Sequence, residues 1–224
     1  MLTNADPFIF RGHKSITTRD PQQATLLRLA SNNIAIYCPH TALDAAPGGI
    51  NAWLADILTA DGRGAERKVA NPIANPPAGF EGAGYGMEVR FAQPQPITTL
   101  LKAVGERIAD GGRVLVAAPD GVALDASLAV RSAAVCAGSG FDVLARSEAE
   151  LIVTGEMTHH NALRCAQLGK VVFCVLHSNT ERLFLKERLQ PLLEQELRAS
   201  VADARVLVSE EDRDPFRIVD VSSL

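Results

Sequence analysis

Two histidine–carboxylate pairs with the same spacing are the strongest chemical signals in this 224-residue chain. His40 precedes Asp44 by four residues, and His177 precedes Glu181 by four residues. Side chains four apart on a helix are neighbours, with Cβ atoms about 5–6 Å apart, so each pair can serve one site. Imidazole and carboxylate donors in this mixture are typical of sites for divalent zinc, manganese or iron, and a thiolate zinc finger is not indicated.

A third cluster consists of Glu156 followed by the adjacent His159 and His160. All three clusters come directly after strand-like segments, and loops at the carboxyl ends of strands in open α/β sheets gather ligand-binding groups. A single histidine at the start of a helix is more often a capping or surface group. Three clusters at equivalent positions favour one shared site over three unrelated caps.

The elements that must position these clusters are visible as apolar runs. Short apolar or β-branched runs predict strands at 34–38, 87–91, 114–116, 133–136, 151–153 and 171–176. Apolar residues at helical spacing predict helices at 50–58, 97–108, 159–168 and 181–197, the last kinked or broken at Pro191. This alternation is typical of an α/β fold with a largely parallel or mixed sheet.

Two regions fit the alternation less well. The segment 60–86 is rich in glycine and proline, and it predicts a long, mobile connection or a domain seam. Apolar runs at 206–208 and 216–219 predict a strand at the carboxyl end. Gly138-Ser139-Gly140 predicts a tight turn after a strand, with backbone binding of an anion as the alternative.

The composition excludes several classes of protein. The content of 47% hydrophobic and 21% charged residues is typical of a globular protein. The net charge of -4 gives no general electrostatic attraction to nucleic acid or anionic lipid. Apolar runs stay well short of the roughly 20 residues of a membrane-spanning helix, and no secretory signal is visible. The four cysteines lack C-x-x-C spacing, which indicates a reducing compartment. We therefore expect a cytoplasmic protein, with mitochondria and nucleus as open alternatives.

Three internal motifs resemble those of the Nif-three-like family, also called the YbgI-like dinuclear metal centre family. They are HTALDAAPGGINAWL at 40–54, TGEMTHH at 154–160 and HSNTER at 177–182, and FIFRGHKSI at 8–16 is similar to the family's N-terminal segment. The resemblance implies one Nif-three-like domain over residues 1–224, made of layered α/β/α sheets in two related halves with a flexible connection at about 60–86. It also implies a homo-oligomer in the form of a ring-shaped hexamer.

The resemblance further implies a centre with two divalent ions in each subunit. Asp44, His177 and Glu181 would be metal ligands, with Glu181 bridging the ions. Two ions about 3.5–4 Å apart suit hydrolysis, because they can activate water and hold both reacting oxygens. Three histidines would line the same cavity as supporting or acid–base groups: His40, His159 and His160.

The chain departs from the family's pattern near its start. The family supplies further ligands from a His-His-Pro or His-Pro segment, and this chain reads Asn4-Ala5-Asp6-Pro7 at that place. Asp6 stands where a histidine is expected and could serve as an oxygen ligand, whereas Ala5 cannot. A strand and a helix expected upstream are also absent. We therefore expect either a chain truncated at its N-terminus or a rebuilt metal centre.

Two functions of different classes follow from the resemblance. The first is a metal-dependent hydrolase, a homologue of GTP cyclohydrolase type two, acting on a small phosphorylated or nucleotide-derived heterocyclic substrate. Water activated at the ions would attack, and His159 or His160 would move the proton. The second is a non-catalytic metal-binding protein with a regulatory partner, since eukaryotic members are associated with transcriptional regulators. Neither function involves a membrane or direct contact with nucleic acid.

Overall fold

The computed structural model describes residues 1–3, 5–60 and 65–221. Its strands are β1 (Leu2–Thr3), β2 (Ile36–Tyr37), β3 (Ala65–Pro72), β4 (Gly84–Pro96), β5 (Leu115–Ala117), β6 (Ala129–Cys136), β7 (Leu151–Thr154) and β8 (Val171–Cys174). Its α-helices are α1 (Pro21–Ser31), α2 (Thr41–Ala45), α3 (Ile50–Thr59), α4 (Ile97–Ile108), α5 (Phe141–Leu144), α6 (His159–Gln167), α7 (Arg182–Phe184) and α8 (Gln190–Ser200). Short 3-10 turns lie at Asp110–Gly112 and Ser178–Thr180, and a π-helical turn lies at Leu185–Leu189. Every helix in these ranges is too short or too polar to cross a lipid bilayer.

Six strands form one mixed sheet in the order β3-β4-β6-β7-β8-β5, and β1 and β2 form a separate parallel pair. Strands β6, β7 and β8 are parallel, β4 and β5 flank them antiparallel, and β3 pairs antiparallel with β4 at the edge. The last residues of the parallel strands, Cys136, Thr154 and Cys174, stand side by side in register. The segments that follow these strands therefore meet at one edge of the sheet, as an α/β fold requires.

Helices cover both faces of the sheet. Neighbouring residues of a strand point to opposite faces, and the central strands are apolar on both. Val135 and Val153 pack in one cluster with α3 and α4, whereas Ala134 and Ile152 pack in another with α5 and α6. The layered α/β/α arrangement implied by the motifs is thus confirmed.

Helix α3 links the sheet to the C-terminal helices. Its apolar face is buried, and the ring of Trp53 meets that of Phe184 in α7 edge-on with centroids 6.1 Å apart. One polar residue on this helix, Asn51, is also buried, with 2% of its surface exposed. A buried amide needs hydrogen-bonding partners, and these lie in the site described below.

The connection predicted at 60–86 contains a strand. Residues 65–72 form β3, which pairs antiparallel with β4 from Ala65 opposite Phe91 to Pro72 opposite Gly84. Its sequence lacks apolar alternation because it is an edge strand, and Lys68 is paired with Glu88 of β4 at 2.9 Å. Irregular backbone is confined to the hairpin loop between the strands, and residues 61–64 lie outside the described ranges.

The carboxyl-terminal elements differ from the predicted helix and strand. The helix expected at 181–197 runs from Arg182 to Ser200, and its π-helical turn ends just before Pro191, which removes one backbone donor from the helix. The strands expected at 206–208 and 216–219 are wrong, since neither segment joins a sheet. Side chains of α8 bond the backbone of Val206 instead of a neighbouring strand.

Candidate metal centre

Three side chains bring ligand atoms together near the carboxyl ends of the parallel strands. Asp6, His177 and Glu181 each offer one nitrogen or oxygen, and these atoms all lie within 4.8 Å of one another. Asp6 follows β1, whereas the other two flank the 3-10 turn after β8. We call these three residues the acid–imidazole cluster. The structure therefore groups three of the four predicted metal ligands.

His177 is held between two carboxylates. Its Nε2 lies 3.3 Å from Oε1 of Glu181, and its Nδ1 lies 3.1 Å from Oε2 of Glu156. Hydrogen bonding to Glu181 and Glu156 raises the pKa of His177 to about 9, although burial acts in the opposite direction. The surroundings of this ring therefore stabilise a positive charge.

Asp44, the fourth predicted ligand, lies in α2 and is coupled to the cluster by charge. Burial, followed by the charge of Glu181, raises the pKa of Asp44 to about 6. Asn51 opposes this shift by donating from Nδ2 to Oδ1 of Asp44 at 3.3 Å, and its own Oδ1 accepts the N–H of Ala137 at 3.0 Å. The carboxylates of Asp44 and Glu181 repel each other, and a bound cation would reduce this repulsion.

His40 borders the same region and connects it to the N-terminal segment. Its backbone N–H donates to the carbonyl of Ala5 at 3.0 Å, directly beside Asp6. Its φ of 42° is sparsely populated for a residue with a Cβ, and such strain gathers at functional sites. The charge of His40 also lowers the pKa of Asp44. His40 therefore positions Asp6 through its backbone and acts on Asp44 through its ring.

A glycine after β6 gives the cluster its space. Gly138 has φ +58°, and a Cβ built there would lie 2.9 Å from Nε2 of His177 and 3.1 Å from Oε1 of Glu181. The hydroxyl of Thr180 accepts the N–H of Gly138 at 2.8 Å and donates to the carbonyl of His177 at 2.6 Å. Gly138, in the turn predicted at Gly138-Ser139-Gly140, is therefore the point against which the side chains of His177 and Glu181 pack.

His159 and His160 are placed differently from the other predicted residues. Both are exposed in the first turn of α6, and their rings meet edge-on with centroids 5.5 Å apart. Thr158 precedes them as the expected N-cap and accepts the N–H of Asn161 at 3.3 Å. From this motif Glu156, and not the histidines, contacts the acid–imidazole cluster, through Nδ1 of His177.

Four contributors to the site were not among the residues predicted to bind metal or to move protons. Three of them, Glu156, Asn51 and Thr180, stand inside the recognised motifs, so the motif itself was the available signal. The fourth, Gly138, reaches the site through its contact with Thr180 across 42 residues of chain, which no local pattern reveals.

The charge on His177 leads to a prediction about pH in the metal-free protein. The folded-state pKa of about 9 lies above the ordinary 6.5, so the folded state holds this proton more tightly than the unfolded state does. The resulting stability is complete below pH 6.5 and is lost as the pH rises through 9. Urea unfolding at a series of pH values should show this decline in the wild type and not in His177→Gln. Parallel curves for the two proteins would contradict it.

Comparison with known proteins identifies relatives over most of the chain. A family model described as Duf34/NIF3 (NGG1p interacting factor 3) matches residues 4–215. The Schizosaccharomyces pombe protein named NIF3 homolog is 40% identical over 210 residues, which is 94% of this chain and 73% of the relative. The Saccharomyces cerevisiae protein named NGG1-interacting factor 3 is 34% identical over 215 residues, which is 95% of this chain and 72% of the relative.

A solved structure shares the fold. The crystal structure of a Bacillus cereus protein related to NIF3 superposes with a TM-score of 0.75 at 20% sequence identity, covering 97% of this chain and 82% of that chain. The matches extend from the segment that carries Asp6 to the turn that carries Glu181 and beyond. The family match and the yeast relatives confirm what the motifs indicated, and the chain belongs to the Duf34/NIF3 family.

Proposed function

We propose that the acid–imidazole cluster and Asp44 bind divalent metal ions and that the chain is a metal-dependent hydrolase. The observation that supports this most is the convergence of three ligand atoms within 4.8 Å of one another. Imidazole nitrogen with carboxylate oxygen fits the ligand sets of divalent metals. The raised pKa values of His177 and Asp44 also fit, because both arise partly from nearby carboxylates whose charge a cation would offset.

In this proposal the site would hold two ions, and Glu181 would contribute to both. Asp6 and His177 would complete the set for one ion, and Asp44 would contribute to the other. Asp6 in place of a histidine makes the set oxygen-rich, with three carboxylates and one imidazole. Carboxylate oxygens suit manganese better than they suit zinc, so among zinc, manganese and iron we favour manganese.

The residues of the chain would divide the remaining work. Bound ions would supply Lewis acidity, which lowers the pKa of water and neutralises developing negative charge. Glu156 would hold Nδ1 of His177 and so fix the orientation of the ring. His40 would exchange protons beside Asp44, and His159 and His160 would carry protons to solvent from α6. A small phosphorylated or nucleotide-derived heterocycle is the proposed substrate, because its anionic groups suit the ions.

Metal loading tests the proposal. Protein stripped with chelator and titrated separately with Mn²⁺, Zn²⁺ and Fe²⁺ is expected to bind about two ions per chain, with Mn²⁺ supporting the fastest hydrolysis in a panel of nucleotide phosphates. Ion content is measured by mass spectrometry after desalting. A chain that retains no ion contradicts the metal site, and a loaded chain that hydrolyses none of the panel contradicts the hydrolase.

A second candidate function is binding of a regulatory protein by an oligomer of this chain, with metal ions only steadying the assembly. The name of the Saccharomyces cerevisiae relative, NGG1-interacting factor 3, favours it. Light scattering of metal-loaded and metal-stripped protein separates the two functions. Loss of an oligomer on stripping, with no hydrolysis by the loaded form, supports the second function over the first.

A further inference from the structure

The segment 204–216, which we call the C-terminal strap, runs from α8 to the acid–imidazole cluster without forming a helix or strand. Its first part is held by three side chains of α8, which hydrogen-bond to the backbone of Ala204 and Val206. Backbone that is bonded at intervals in this way is fixed in place without a sheet. The strap is therefore an anchored part of the fold.

The far part of the strap holds the residue that follows His177. That residue, Ser178, donates its hydroxyl to Oδ2 of Asp214 at 2.5 Å. The other oxygen, Oδ1, accepts the N–H of Phe216 at 2.8 Å, which fixes the carboxylate in the orientation that Ser178 needs. Hydrogen bonds to a charged acceptor at this length are among the stronger kinds in proteins.

The same relation recurs at Glu181. The residue that follows it, Arg182, donates from Nε to Oδ2 of Asp212 at 2.7 Å. The side chain of Asp212 is 56% exposed, so this ion pair by itself adds little stability. The ion pair instead fixes the position of the turn. Ser178 and Arg182 are four residues apart, as His177 and Glu181 are.

We propose that Asp212 and Asp214 are positioning residues and that the C-terminal strap sets the separation of His177 and Glu181. These two aspartates lie two residues apart in the strap, and they accept hydrogen bonds from the residues that directly follow His177 and Glu181. Ligands held by a supporting hydrogen-bond network lose less freedom when an ion binds, which raises affinity. The role of the strap in metal affinity rests on the proposed function. Its role in holding the turn rests on the hydrogen bonds from Ser178 and Arg182 to the strap.

Hydrogen exchange and Mn²⁺ affinity together test the strap in the full chain. In metal-free protein, the double variant Asp212→Ala/Asp214→Ala is expected to exchange the amides of residues 178–182 at least about tenfold faster, with strands β6 and β7 unchanged. The same variant is expected to bind Mn²⁺ about tenfold more weakly by titration calorimetry. Asp214→Asn, which keeps an acceptor oxygen, should recover most of the loss shown by Asp214→Ala. Asp203→Ala is the matched control, because Asp203 is exposed and precedes the strap.

The outcomes separate the strap from the metal site. Exchange at 178–182 equal to that of the Asp203→Ala control overturns the proposal, as does an increase spread evenly over the whole chain. Faster local exchange with unchanged Mn²⁺ affinity overturns the positioning role. Failure of the wild type to bind Mn²⁺ contradicts the proposed function, and the exchange result then decides the strap's structural role by itself.

Discussion

Replacing Glu181 with glutamine is expected to weaken Mn²⁺ binding by at least about 100-fold, the upper end of the cost of losing a supporting partner of a metal ligand. Glu181 supplies one of the three clustered ligand atoms, and its Oε1 lies 3.3 Å from Nε2 of His177. Its charge also contributes to the raised pKa of Asp44. Glutamine preserves the volume of the side chain and removes its charge. Titration calorimetry on metal-stripped protein measures the change.

A matched variant on α8 controls for the loss of one charge. Glu196 is exposed, and Glu196→Gln should bind Mn²⁺ as the wild type does. The Glu181→Gln variant should also return the pKa of Asp44 toward its ordinary value, which carbon NMR of the carboxyl group detects. Equal affinities in Glu181→Gln and the wild type would remove Glu181 from the metal site.

Replacing Gly138 with alanine is expected to lower both stability and metal affinity. The backbone cost of a Cβ at φ +58° is about 1–2 kcal/mol. The new Cβ would also lie 2.9 Å from Nε2 of His177 and 3.1 Å from Oε1 of Glu181, so the ring or the turn must shift and the arrangement of the two side chains changes. We expect a total loss of about 2–4 kcal/mol in urea unfolding, together with an Mn²⁺ affinity at least about tenfold weaker.

Gly82 provides the control for this substitution. It has φ +87°, and a Cβ added there would meet nothing within 4 Å, so Gly82→Ala carries the backbone cost without a close neighbour. The difference between the two variants isolates the contact with His177. If Gly138→Ala loses no more stability than Gly82→Ala and keeps its affinity for Mn²⁺, the packing of the ligands against Gly138 is not required.

The fold was predictable where local pattern and tertiary packing agree. Helix α4 occupies the predicted 97–108, and β7 extends one residue beyond the predicted 151–153, because these apolar faces pack on the sheet. Helix α1 was missed although Asp20 caps it by accepting the N–H of Gln23 and Pro21 begins it, and none of its residues is buried in the core. Strand β3 was missed because its stability comes from pairing with β4 rather than from its own composition.

The site was predictable where the spacing of residues along the chain matches the local backbone conformation. The four-residue spacing of His177 and Glu181 does place both in the cluster. The corresponding spacing of His40 and Asp44 does not place them on one helix, since His40 stands before α2 with a positive φ. Backbone conformations of that kind depend on contacts such as the hydrogen bond to Ala5, which the sequence does not display. The roles of Glu156 and Gly138 likewise required the arrangement of three strands.

The three residues of the acid–imidazole cluster are not held equally firmly by the surrounding structure. His177 and Glu181 are attached to a sheet whose central strands are fully buried, and the strap braces their turn. Asp6 is attached to β1, which pairs with β2 over two residues only, and to His40 through the hydrogen bond at Ala5. Local opening is easiest where few buried contacts resist it. An ion in this site would therefore enter and leave by displacement of the Asp6 side, and the lifetime of the bound ion would be governed by that short pairing rather than by the stability of the whole protein.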